Sequence, residues 1–66
     1  MDITVNNQSR TVTQGQTLAD LINDMKLDAA RIAVEYNRDI LTREQLAEVS
    51  LKEGDTIEIV NFVGGG

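Results

Sequence analysis

The sequence contains no cysteine and no histidine, and each absence removes a class of chemistry. Without cysteine, no disulfide staples the fold and no side-chain thiol is available as a nucleophile. Without histidine, the commonest general base and the commonest metal ligand at neutral pH are missing. Aromatics are almost as scarce, with one tyrosine and one phenylalanine. Self-contained catalysis would have to rest on carboxylates, that tyrosine and six Lys plus Arg. The expectation is a protein that is not an enzyme and has neither a catalytic residue nor a metal site of its own. The acidic residues lack the D-x-D-x-D-G spacing of a calcium loop. Gly15 stands alone, without the glycine-rich turn that cradles a phosphate. Arg38-Asp39 and Arg43-Glu44 read as solvated ion pairs, which contribute little.

Basic charge is also in short supply. Eleven acidic residues face six basic ones, for a net charge of −5. Nucleic-acid binding needs a basic footprint, so that class is excluded. An acidic balance suits solubility and docking on a basic protein surface. No apolar run approaches the ~20 residues needed to cross a bilayer. Met1-Asp2-Ile3-Thr4 lacks the basic start and apolar stretch of a signal peptide. The expected location is the cytoplasm, with no membrane partner.

What remains is 66 residues with an ordinary 41% hydrophobic content, enough for one domain of modest stability. A chain of this size buries only about 60% of the surface its unfolded form exposes. Met1 to Val5 alternates apolar and polar, the period-2 signature of a strand with one buried face. Asn6-Asn7-Gln8-Ser9 is a turn cluster, and Arg10 to Thr13 forms the second arm of a hairpin. Thr17 caps a helix, with Asp20 three residues on in the reciprocal capping position. Leu18, Leu21, Ile22 and Met25 make one apolar stripe, and Leu27 packs back as the chain leaves the helix. Residues 31–37 are a strand with Ile32, Val34 and Tyr36 on one face. Asn37-Arg38-Asp39 turns into a short extended piece at Ile40-Leu41. Thr42 caps a second, shorter helix, with Gln45 at the position three on. Leu46, Val49 and Leu51 join the core, and Lys52 to Asp55 is a turn with Gly54 suited to a positive φ. The last strand runs from Thr56 to Val63. This order predicts an α+β domain, one main helix lying across a mixed sheet.

Three of the five glycines are Gly64, Gly65 and Gly66. The last strand is thus expected to deliver a flexible peptide and a free α-carboxylate into solvent. Glycine there lets the backbone thread a narrow channel in conformations closed to other residues. Extended, Val63 to Gly66 spans roughly 13 Å at about 3.3 Å per residue, far enough to enter another protein's active site. Along the strand, Ile57 and Ile59 point one way while Glu58, Val60 and Phe62 point the other. With the helix over the isoleucines, Val60 and Phe62 are left as partner-docking anchors beside the tail.

Gly15-Gln16-Thr17-Leu18, Ala33 to Asn37, Arg43-Glu44, Gly54-Asp55 and Ile59 to Gly66 together resemble the sulfur-carrier proteins of thiamin biosynthesis, the ThiS family. The resemblance covers the whole chain. It implies a ubiquitin-like β-grasp domain over residues 1–63 and a flexible glycine tail over residues 64–66. It also implies that Gly66 is adenylated by a ThiF-like, E1-type enzyme, which supplies the ATP and Mg²⁺ site, so that no cofactor is held by this chain. A sulfur-donating enzyme then provides the sulfur of a thiocarboxylate, and a ThiG-like thiazole synthase takes it. Gly64 and Gly65 would thread the partner's active site. The family ends in Gly-Gly, so Gly65-Gly66 is the matching pair and Gly64 is extra slack. The near relative is the MoaD-like small subunit of molybdopterin synthase, which has the same fold and activation chemistry. A ubiquitin-like modifier joined to target lysines, and a plain interaction domain with a loose tail, are the alternatives from other classes.

Overall fold

The computed structural model describes residues 1–62. Val63 at the end of the expected last strand, and the tail residues Gly64, Gly65 and Gly66, lie outside the described residues, as does the expected boundary between domain and tail.

Five strands form one mixed sheet in the order β2-β1-β5-β3-β4. Their ranges are β1 Asp2–Val5, β2 Gln8–Thr11, β3 Ile32–Tyr36, β4 Asp39–Leu41 and β5 Thr56–Asn61. β5 lies at the centre, parallel to β1 and antiparallel to β3. The helix α1 spans Leu18–Asp24. Leu18, Leu21 and Ile22 of α1 share one core with Ile3, Val5, Ile32, Val34 and Ile57 of the sheet. Leu46 and Leu51 close that core from the later part of the chain. This is the α+β arrangement that the sequence order predicts, and the β-grasp that the family resemblance implies.

Local chemistry explains the turns. Both hairpins have two-residue loops, because Val5 pairs with Gln8 and Tyr36 with Asp39. Asn6 and Asn7 have φ of 50° and 67°, and Asn37 and Arg38 have φ of 48° and 78°. Two successive positive φ angles give the turn whose twist matches that of the flanking strands. The first turn is therefore tighter than the four-residue cluster anticipated, and β2 starts at Gln8 instead of Arg10. Thr17 caps α1 as expected: its Oγ1 accepts from the Asp20 N–H at 3.1 Å, and the Asp20 carboxylate accepts from the Thr17 N–H at 3.0 Å. α1 ends where Lys26 takes φ of 60°. There the Leu27 N–H donates to Ile22 O and the Lys26 N–H to Asn23 O, the paired bonds of a left-handed helix stop.

The second helix is a 3-10 helix over Arg43–Glu48, with the Gln45 side chain accepting from the Thr42 N–H at 2.7 Å. Its neighbours Val49 and Ser50 run beside the start of α1: Leu18 N–H donates to Val49 O and Leu51 N–H to Gln16 O. The solvated pairs expected at Arg38-Asp39 and Arg43-Glu44 do not form. Among the described residues the one ion pair is Arg31–Asp28 at 3.7 Å, where a single 3-10 turn brings residues three apart together. Adjacent residues in a tight turn or helix do not face each other, which explains the miss. No helix among the described residues is long and apolar enough to cross a membrane.

Candidate functional site

β5 sets the geometry of the site because it is central and its end leads into the glycine tail. Its alternation divides the sheet into two faces. Ile57 is fully buried and Ile59 half-buried under α1. Val60 and Phe62 stand on the opposite, uncovered face and are 60% and 53% exposed. Both residues singled out from the sequence thus lie side by side on the open face, at the end of the strand nearest the tail.

The register adds a third apolar residue that sequence reasoning missed. Ile40 of β4 pairs with Glu35 of β3, and Glu35 pairs with Glu58 of β5. Directly opposed residues share a face, so Ile40, Glu35 and Glu58 form one row across the uncovered side. Ala33 pairs with Val60 in the next row. Ile40 is 76% exposed. The large hydrophobics exposed among the described residues, Ile40, Val60 and Phe62, therefore all occupy one face. The signal was the alternation of β3, which places Glu35 opposite to Val34. A strand of three residues carries too little alternation to orient Ile40 by itself.

Three anchors fix β5 under this face. The amide of Asn6 brackets Ile59, accepting from its N–H at 2.7 Å and donating to its carbonyl at 3.2 Å. The Asn37 Oδ1 accepts from the Thr56 N–H at 2.8 Å. Beyond the last ladder pair, the Phe62 N–H donates to Arg31 O at 2.7 Å, which holds the backbone at the exit point.

A polar cluster ties the beginning of β5 to the β3–β4 turn. Asp55 is only 5% exposed, and its carboxylate accepts from Tyr36 Oη at 2.8 Å, the Lys52 N–H at 2.7 Å and Asn37 Nδ2 at 3.1 Å. Burial pulls its carboxyl upward, but these hydrogen bonds and the Lys52 charge outweigh it and leave it below the usual carboxylate value. Burial, then the bond to Asp55, pushes the Tyr36 phenol above its ordinary value, against the pull of Lys52. Lys52 Nζ lies 3.3 Å from that phenol oxygen, and the contact raises its own value. No buried side-chain polar atom among the described residues lacks a partner, and the buried Asp55 carboxylate is engaged by three donors, so the cluster serves as a clasp. It does not present a free acid or base.

No group of three or more potential metal ligands occurs among the described residues. The groove between α1 and the 3-10 helix, of about 300 Å³, is lined by Ala19, Ile22, Leu27 and Leu46, with Arg43 as its one charged side chain. The chemistry this surface can support is recognition, by an open apolar and acidic face at the end of the central strand.

Known proteins give the same picture. The ThiS family model matches residues 3–66. The chain is 44% identical over 50 residues to the sulfur carrier protein ThiS of Bacillus subtilis, covering 76% of each chain. It is 32% identical to its Escherichia coli counterpart over 66 residues, the full length of both. The crystal structure of the thiamine biosynthesis protein ThiS from Geobacter metallireducens superposes with a TM-score of 0.84 at 33% identity, covering both chains completely. A thiazole synthase of Paramagnetospirillum magneticum is 33% identical over all 66 residues, and there the chain spans about a fifth of the relative, 20% of its length. From its first strand to its glycines, the chain belongs to the ThiS family.

Proposed function

We propose that this protein is a sulfur carrier for the thiazole of thiamin, with the Gly66 carboxylate as the group that is modified. The observation that carries the reading is the match of the family model through residue 66, on a fold whose central strand leads into the glycines. A carboxylate is a poor electrophile. In the activation step its oxygen attacks the α-phosphorus of ATP and pyrophosphate leaves, giving an acyl adenylate. Hydrosulfide, the sulfide-level nucleophile, then attacks the acyl carbon, AMP departs, and loss of the S–H proton leaves a thiocarboxylate. An E1-type, ThiF-like enzyme would supply the nucleotide, Mg²⁺ and a site that stabilises the oxyanion. This chain would supply the electrophile and the surface that presents it. Gly64 and Gly65 would occupy the enzyme's channel, and Val60 and Phe62 would dock beside its mouth.

The acceptor in this reading is a ThiG-like thiazole synthase. Its support is the relative named thiazole synthase, in which one fifth of the length aligns with the whole of this chain. Because activation consumes ATP, the reading assigns the protein to the cytoplasm.

The test is intact mass after incubation with the adenylating enzyme, ATP, Mg²⁺ and a sulfur source. The expected gain equals the exchange of one oxygen for sulfur, localised to Gly66. An unchanged mass in a mixture that converts an authentic carrier would overturn the reading. Adducts linked to lysines of other proteins would replace it with the modifier reading.

A further inference from the structure

Glu35 and Glu58 are half-buried and directly opposed on β3 and β5, in the middle of the open face. Opposed residues of an antiparallel pair have Cβ atoms about 5 Å apart, and like charges in that position destabilise a sheet. No salt bridge to either glutamate occurs among the described residues, where the one ion pair is Arg31–Asp28. The unfavourable pair is flanked by exposed apolar groups, Ile40 opposite Glu35 on one side and Val60 two residues beyond Glu58 on β5. A merely solvated face has no need of apolar walls around a repulsive pair. A cation with an aliphatic stem satisfies both features at once.

We propose that the row Ile40–Glu35–Glu58 receives one basic side chain, arginine or lysine, from the adenylating enzyme. Its charge sits between the two carboxylates and its stem lies on Ile40, at the β4 end of the row. The choice of enzyme rests on the carrier reading above. The receptor itself rests on register, exposure and charge. Binding relieves a repulsion that the free carrier carries, so the contact is worth more to the complex than to the fold. The row starts on β5 itself and runs over β3 to β4, which gives the enzyme a second point of grip beside Val60 and Phe62.

The experiment compares the full chain with Glu35→Gln, Glu58→Gln, the double variant and Ile40→Ser. Glu44→Gln, on the 3-10 helix, serves as a control of equal charge. Affinity for the purified adenylating enzyme is measured by calorimetry at low and high salt, beside the melting temperature of each variant. Each single glutamine variant is expected to weaken binding about tenfold, as loss of one charge-assisted contact does. Each is also expected to raise the melting temperature, by roughly 2–5 °C. Ile40→Ser should weaken binding without lowering stability, and Glu44→Gln should change neither. Unchanged affinity in the double variant, or an equal loss in Glu44→Gln, overturns the proposal. So does weakened binding accompanied by a lower melting temperature. Loss of binding to thiazole synthase alone would overturn the choice of partner. Wild-type carrier that gains sulfur while the double variant gains it equally well sinks this inference and leaves the carrier reading standing. Wild type that gains no sulfur removes both.

Discussion

The side-chain amide of Asn6 exchanges two hydrogen bonds with the main chain of Ile59. β1 has already turned away at this point, and its ladder with β5 ends at the Val5–Ile57 pair. Asn6 prolongs it with a side chain that imitates a peptide group, and so steadies the part of β5 that carries Val60 and Phe62. Asn6 also holds φ of 50°, which asparagine tolerates better than most residues. The two roles are separable. Asn6→Gly keeps the turn and removes the amide, and should cost about 1–2 kcal/mol for two partly exposed hydrogen bonds. Asn6→Ala should cost about 1 kcal/mol more, because alanine resists the left-handed region. Urea denaturation of both variants checks the order. Equal losses would show that the amide is the whole effect.

Arg38 and Lys26 sit at positive φ without a side chain suited to it, at 78° and 60°. Both side chains are exposed, so replacing them removes little packing. Arg38→Gly produces the Asn-Gly pair favoured in a two-residue hairpin, and Lys26→Gly supplies the usual helix stop. Each is expected to stabilise by about 0.5–1 kcal/mol, the relief of left-handed strain less the entropy glycine adds to the unfolded chain. The sites lie in different turns, so their effects should add. A thermal melt of the double variant tests both size and additivity.

Asp55 gives the stability of the fold a defined acid limb. Its folded value is depressed, so its contribution is present above the unfolded value of about 3.9 and is lost as pH falls through the folded value. Tyr36 acts in the opposite sense. Its folded value is raised, so its contribution holds below about 10 and disappears as pH rises through the folded value. Stability should therefore plateau between these limits. Asp55→Asn should lower the plateau by about 1–3 kcal/mol, because an amide turned toward buried donors leaves one unsatisfied, and should flatten the acid limb. Tyr36→Phe should flatten the alkaline limb. Denaturation midpoints across the pH range decide this, and an acid limb that survives in Asp55→Asn would assign it to other carboxylates.

These relationships mark what could be read from sequence. The Thr17–Asp20 cap, the α1 stripe and Gly54 at positive φ are encoded within a few residues, so local rules find them. The placement of Val60 and Phe62 on the open face was readable because β5 is long enough to show its alternation, whereas whether a loop covers Phe62 depends on distant residues and was not. Asn6–Ile59 and Tyr36–Asp55 link residues 53 and 19 positions apart, and nothing local marks them. Ile40 and the Glu35–Glu58 opposition depend on register across three strands. A one-residue slip would have moved those side chains to the other face.

Val60 and Phe62 provide a test of docking that leaves the fold intact. Both are largely solvent-exposed, so truncation removes little buried area. Phe62→Ala should weaken complex formation with the adenylating enzyme by about 1–2 kcal/mol, in the range for an aromatic at the centre of an interface. Val60→Ala should have a smaller effect. Circular dichroism and melting temperature should match wild type. Wild-type rates of thiocarboxylate formation in the double variant would return both residues to the status of an ordinary exposed surface.

Deletion of Gly65 and Gly66 separates the carrier reading from that of a plain interaction domain. Among the described residues the buried core runs from Ile3 to Ile57, so the shortened chain should keep its melting temperature. It should also keep its affinity for the adenylating enzyme to within a few-fold, because Ile40, Val60 and Phe62 remain. Its tail would be shorter by roughly 7 Å, and a misplacement of even 1 Å at a reacting centre can reduce a rate about a hundredfold. Pyrophosphate release and the sulfur mass gain should both fall to background while binding persists. That combination places the lost function in reach and chemistry instead of folding or docking. Retained activity would mean that the glycines are dispensable and that the carboxylate of Gly66 is not the group activated.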